Sequence, residues 1–160
     1  MDTRISEIME RDTYFLYESE TIGDALEFLY HKEVSAVPVV NKEKEVVGYI
    51  SDADILRHIS GKKMHFFGIS EEFGAVDIDR STAGEKLRGL LDMNLMTIAS
   101  HKVITIREDT EIELVAEIMA KKKLKKVAIV DDEDKLAGIV TRWTIVNNLM
   151  GRALRAADYR

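Results

Sequence analysis

Val34-Ser35-Ala36-Val37-Pro38-Val39-Val40 is almost wholly apolar and rich in β-branched residues, which predicts a strand covered on both faces. The charged run Asn41-Lys42-Glu43-Lys44-Glu45 breaks it as a turn, and Val46 to Ile50 reads as the returning strand. Ser51 then opens a helix, with a hydroxyl at the N-cap, the Asp54 carboxylate three residues on, and apolar Ile55 and Leu56 behind. The same order returns ninety residues later, where Gly48 becomes Gly138: Leu124-Lys125-Lys126-Val127-Ala128-Ile129-Val130, then Gly138-Ile139-Val140 and Thr141. The chain is therefore an internal duplication, and its function is expected where the two copies meet.

The rest of the pattern fits the same frame. Ile5, Ile8 and Met9 fall at helical spacing, predicting a short leading helix over residues 4–10, and Tyr14 to Tyr17 is a strand candidate. Thr21-Ile22-Gly23-Asp24 reads as a capping box, followed by the apolar face Ile22, Ala25, Leu26 and Leu29. In the second copy a helix is expected around Leu87 to Met96, aligning Leu95-Met96 with Ile8-Met9. Val103 to Ile106 is its first strand, Thr110 to Glu113 its capping box, and Ile112, Val115, Ala116 and Met119 its helical face. Strands over 127–130 and 136–140 follow, joined by Asp131-Asp132-Glu133-Asp134. A last helix starts at Thr141 and continues past Gly151. Each unit is then βαββα with a leading helix. Neither has much core alone, so the prediction is an α+β protein of two pseudo-twofold-related repeats packed through their sheets. The division is 1–60 for the first repeat, 61–86 for a connector and 87–160 for the second repeat with its C-terminal helix. The connector carries Met64-His65-Phe66-Phe67 and Phe73, too apolar for a mere solvated tether; packing on the repeats is the plain expectation and a lid over a ligand the alternative.

Composition narrows the function. The 160 residues are 46% apolar and 32% charged, ordinary for a globular chain, with 23 basic against 29 acidic side chains and a net charge of −6. That balance argues against nucleic acid as a partner. No stretch approaches the roughly 18 apolar residues of a membrane span, so no membrane partner is expected. With no cysteine and no apolar signal core after Met1-Asp2-Thr3-Arg4, a cytoplasmic location is the expectation. His31, His58, His65 and His101 show no metal-ligand spacing and read as surface or helix-end residues, so no metal site is expected. No nucleophile–base–orienter set or phosphate loop stands out, and the chain reads as a non-enzyme.

The proline strand followed by Gly48-Tyr49-Ile50-Ser51-Asp52-Ala53-Asp54, in duplicate, resembles a tandem pair of cystathionine-β-synthase (CBS) domains, the arrangement called a Bateman module. The resemblance covers nearly everything but the connector. It implies regulatory binding of adenosine-containing ligands in clefts between the repeats, with no required cofactor, and dimerisation into a flat disc. Carried over by position, it implies one cleft that combines Tyr49, Ser51 and Asp54 with Thr97, Lys125 and Lys126. A second would combine Thr13, Ser35 and Ala36 with Ile139 and Thr141. The sequence departs from the pattern at Thr144, in place of the ribose aspartate, and at Ala128, in place of the strand proline.

An ionised aspartate accepts both hydroxyls of a ribose diol, and charged hydrogen bonds of this kind contribute about 1.5–3 kcal/mol each. Ser51-x-x-Asp54 is also a capping box that needs no ligand. Lys121 to Lys123 read as a solvated helix end that compensates the dipole. Lys125 and Lys126 suit phosphate as point charges, favouring AMP, ADP or ATP over adenosine and fitting S-adenosylmethionine less well. Trp143 is expected in core or dimer packing. The leading expectation is a non-catalytic sensor that binds an adenine nucleotide of the AMP, ADP or ATP class between the repeats, as a homodimer. The rival is a dimerisation or interaction module with vestigial clefts.

Overall fold

Strands and helices follow the apolar pattern in the computed structural model, which describes residues 3–60 and 82–157. The first unit runs β1 (Leu16–Tyr17), α1 (Ile22–Lys32), β2 (Ala36–Val40), β3 (Val46–Ser51) and α2 (Asp52–Ile59). After α3 (Ala83–Leu90) comes the second unit: β4 (Thr105–Arg107), α4 (Ile112–Lys121), β5 (Lys126–Val130), β6 (Leu136–Thr141) and α5 (Arg142–Ala156). Among the described residues the strands make two sheets of the same order, β1-β2-β3 and β4-β5-β6, each with a parallel and an antiparallel pair. The fold is thus α+β, built from two like repeats.

The registers match in detail. Val39 pairs with Gly48 and Ile129 with Gly138, and each hairpin shifts register at the next residue. The turns are built by Asx chemistry: Asn41 Oδ1 accepts the Glu43 and Glu45 N–H groups, and Asp131 Oδ1 accepts those of Glu133 and Lys135. Lys44 (φ 69°) and Asp134 (φ 62°) hold the left-handed conformation that closes each turn.

The leading segments cross over. Residues 3–10 lie on the second unit, where Ile5 N–H donates to Thr110 C=O and Glu10 exchanges both backbone bonds with Ile139. Residues 94–100 lie on the first, where Leu95 N–H donates to Glu20 C=O and Ser100 exchanges both with Tyr49. Each core is therefore composite. Ile5 and Met9 are buried with Ile106, Ile112, Val127 and Val140, while Leu95, Ile98 and Ala99 are buried with Leu16, Ile22, Val37 and Ile50.

This exchange explains where the local pattern misleads. The helix expected over residues 4–10 is only a 3-10 turn, Ile5–Glu7, and the one expected over Leu87–Met96 divides into α3 and a 3-10 turn, Leu95–Thr97. Backbone N–H groups committed to the opposite repeat cannot also build an α-helix. Leu95 matches Ile5, not Ile8, since the paired bridges are Arg4 with Glu111 and Asn94 with Thr21. The capping box expected at Thr110 is absent: α4 is capped one residue later, at Glu111, without a side-chain bond, and Leu114 stands where α1 has Asp24, so no carboxylate closes a box there. The α1 box is present, with Thr21 and Asp24 bonded reciprocally.

Gly48 and Gly138 are required by the crossing. A Cβ on Gly138 would stand 2.7 Å from the Glu10 carbonyl oxygen, and one on Gly48 would stand 3.0 Å from that of Ser100. α5 continues past Gly151 and is tied to α4 by Arg152 Nη1 donating to Glu113 Oε1 at 3.0 Å. α3 begins at Ala83, capped by Thr82 and Glu85, four residues before Leu87. Met64 to Phe67, Phe73 and the expected packing of the connector lie outside the described residues.

Candidate functional site

β3 ends at Ser51, which caps α2 and aims Asp54 back at the strand. Asp54 Oδ2 accepts the Ser51 N–H at 2.9 Å and the Ser51 hydroxyl at 2.8 Å, while Asp54 N–H donates to Ser51 Oγ at 3.3 Å. Its second oxygen, Oδ1, accepts from Arg57 Nη1 at 3.1 Å. The capping box expected here is present. The same geometry at Thr21 and Asp24 lies at the surface, where the two hydrogen bonds from Thr21, backbone then side chain, lower the Asp24 pKa. Asp54 differs in being only 4% exposed, the one buried charged residue among those described. A diol reaching its carboxylate must displace exposed Arg57 from Oδ1 or share that oxygen.

The equivalent helix start is uncharged. Thr144 N–H donates to Thr141 Oγ1 at 3.1 Å, and the two threonine hydroxyls share a hydrogen bond of 2.9 Å.

Contacts group the other candidates largely by repeat. Ser35 C=O accepts from Asp52 N–H, and Ala36 pairs with Ser51. Lys125 C=O accepts from Arg142 N–H, and Lys126 pairs with Thr141. Lys125 and Thr141, assigned from the sequence to different clefts, line one open concavity of about 490 Å3 together with Arg142, Trp143 and Val146. Thr97 is exposed on the segment that docks against β3, on the side of Tyr49 and Ser51. Thr13 is half-buried, three residues beyond Glu10, the bonding partner of Ile139.

Tyr49 occupies an unforeseen place. Its hydroxyl accepts the Ala128 N–H at 2.9 Å and lies 3.5 Å from the Ile104 carbonyl oxygen, joining the first sheet to the second. Burial pushes its pKa up to about 12 against the opposing effect of the Ala128 hydrogen bond. Arg142 and Ile104 were not among the expected site residues. No local signal marks Ile104, because its part is played by a backbone carbonyl. Arg142 carried a local signal, a cation directly after the helix N-cap Thr141; its place beside Lys125 is tertiary. Trp143 is 67% exposed and not in the core. His58 Nδ1 lies 3.0 Å from the Asp54 carbonyl and His101 Nε2 lies 2.9 Å from that of Met96, while His31 stands 3.8 Å from Glu27. His65 is outside the described residues. None of the described helices is long and apolar enough to cross a membrane.

Comparison with known proteins places this geometry. The chain is 28% identical over 154 residues to an uncharacterized protein of Methanocaldococcus jannaschii, covering 91% of this chain and 90% of that one. It is 32% identical over 136 residues to the chloroplastic CBS domain-containing protein CBSX2 of Arabidopsis thaliana, covering 80% of this chain but 55% of the relative. The crystal structure of CBSX2 superposes with a TM-score of 0.71 at 21% identity, covering 96% of this chain and 98% of that one, and CBSX2 has also been solved in complex with AMP. The CBS domain pair of protein MJ0100, solved with 5'-methylthioadenosine and S-adenosyl-L-methionine, superposes with a TM-score of 0.64 at 22% identity over 95% of this chain and 99% of that one. The CBS domain itself is matched twice, at residues 5–61 and 95–151, two spans that each begin at a leading segment, the first ending just after α2 and the second within α5; the chain belongs to the CBS domain family and carries two copies in tandem.

Proposed function

We propose that this chain is a non-catalytic regulatory module that binds an adenosine-containing ligand of the AMP, ADP or ATP class between its two repeats. The observation that carries the reading is Asp54, a buried carboxylate at a hairpin helix start, one oxygen of which is held only by an exposed arginine. A carboxylate so placed suits a ribose diol. Lys125, the cation that the family pattern sets in the same cleft as Asp54, suits phosphates, and Arg142 and Trp143 line the concavity it shares at the Thr141 helix start. CBSX2 solved with AMP, and the MJ0100 pair solved with two adenosine derivatives, support the ligand class. The duplicated registers and exchanged segments make the repeats one coupled body. Binding then acts through whichever arrangement of the module the ligand prefers.

Thermal melting with AMP, ADP, ATP and S-adenosylmethionine tests this. A ligand at 100-fold its dissociation constant adds about 2.7 kcal/mol of stability, and Asp54→Ala weakens its binding by roughly thirtyfold, about 2 kcal/mol. Lys125→Ala with Lys126→Ala costs ATP more than adenosine. No stabilisation by any of these ligands refutes the reading.

A second reading, a homodimerisation or interaction module with vestigial clefts, draws on a different observation. Trp143, Val146, Met150 and Leu154 leave an exposed apolar stripe along α5, and Leu56 on α2 occupies the position that matches Val146. It expects sedimentation as a dimer whose association is indifferent to AMP and is lost in Trp143→Ala with Met150→Ala.

A further inference from the structure

Tyr49 reaches from β3 of one sheet into the backbone of the other. In β6 the N–H and C=O of Ile139 both turn outward to Glu10, so its pairing with Ala128 is of the kind that exchanges no hydrogen bond. The Ala128 N–H therefore points away from β6 and toward β4, where Ile104 C=O stands just before the strand begins at Thr105. A direct rung of the parallel ladder belongs there. The Tyr49 hydroxyl lies in its place, accepting from Ala128 at 2.9 Å and facing the Ile104 oxygen at 3.5 Å.

The spread rung is a peptide donor beside a peptide acceptor, the set with which a side-chain amide reads adenine. Adenine offers the complement, an amino donor next to a ring-nitrogen acceptor, whereas the O6/N7 edge of guanine offers two acceptors and leaves the carbonyl unpaired. A tyrosine hydroxyl also combines donor and acceptor, in one atom.

We propose that Tyr49 is a built-in plug: its hydroxyl holds the Ala128 N–H and Ile104 C=O pair that an adenine base would take, so that base and hydroxyl compete for one cleft. This rests on the adenosine-ligand reading above and adds the regulation of that site. The opposite side has no such device, because Pro38 lacks an N–H and Ile139 lacks a hydroxyl. The alanine at 128 and the tyrosine at 49 thus work as a pair: a proline at 128 would leave the hydroxyl without its donor.

Calorimetric titration of AMP into the unmodified protein and into Tyr49→Phe tests the plug, with hydrogen exchange at the Ala128 amide as a second readout. Tyr49→Phe is expected to bind AMP about tenfold more tightly, the worth of one hydrogen bond no longer displaced. Its Ala128 amide exchanges faster than in the unmodified protein when ligand-free and is protected again by AMP. Tyr49→Ile, which copies the side chain already carried at position 139, gives the same gain and serves if the phenylalanine variant does not fold. Equal or weaker AMP binding by the variants overturns the plug and leaves nucleotide binding standing. Absence of AMP binding by all of them overturns the nucleotide reading, and the plug falls with it.

Discussion

The two hairpin helix starts share a backbone and differ in what they offer a ligand. Ser51 and Asp54 present a buried carboxylate, whereas Thr141 and Thr144 present two hydroxyls bonded to each other. Tyr49 finds a peptide donor at Ala128, whereas the residues ninety positions away from this pair in the other repeat, Ile139 and Pro38, offer neither a side-chain hydroxyl nor a backbone N–H. Registers, turns and the shift in each hairpin are the same to the residue. The lesson is that duplication preserved the frame, which both cores need, and let the side chains toward the other repeat diverge. Two helix starts equivalent in backbone have become chemically distinct.

Four experiments test this contrast between the repeats. The largest effect is expected at the crossing glycines. Gly138→Ala drives a methyl into a backbone oxygen, while the matching contact at Gly48 is looser, so urea unfolding should show losses of about 3 and about 1 kcal/mol respectively. Equal losses would mean that the leading segments yield alike. Next, Asp54→Ala removes a cap and a charged acceptor for about 2 kcal/mol of stability, and Thr144→Ala costs about 0.5 kcal/mol because the Thr141 hydroxyl still caps α5.

Third, Tyr49→Phe should lower stability by about 1.5 kcal/mol at neutral pH by leaving the Ala128 N–H unpaired. In that background Ala128→Pro should recover part of the loss by removing the orphaned donor, as Pro38 does in the first sheet. Additive losses from the two substitutions would deny that they are linked.

The smallest effect is alkaline. The Tyr49 pKa is raised from 10.0 to about 12 in the folded protein, so its neutral form is favoured there. The associated stability is full below about pH 10 and is lost as pH rises toward about 12, amounting to roughly 1 kcal/mol by about pH 11. Tyr49→Phe should flatten that part of the curve of stability against pH, and identical curves would place the titrating hydroxyl elsewhere.

Much of the molecule was written locally. The valine-rich strands, the Asn41 and Asp131 turns, the Thr21 and Ser51 caps and the ninety-residue repeat rest on neighbours within a few positions, so periodicity and capping chemistry sufficed to place them. These local signals specify two like units, most of their elements and the Asp54 helix start. Distant contacts set the exchange of residues 3–10 and 94–100, which leaves one expected helix a single turn and ends the other at Leu90: Ile5 bonds to Thr110 and Glu10 to Ile139, Leu95 to Glu20 and Ser100 to Tyr49. Tertiary structure alone decided, too, that Tyr49 meets Ala128, 79 positions on, and that Lys125 shares a concavity with Thr141 and Arg142. Hydrophobic spacing records which face of an element is buried; it carries no register between elements so far apart, and the chemistry of the site lies in that register.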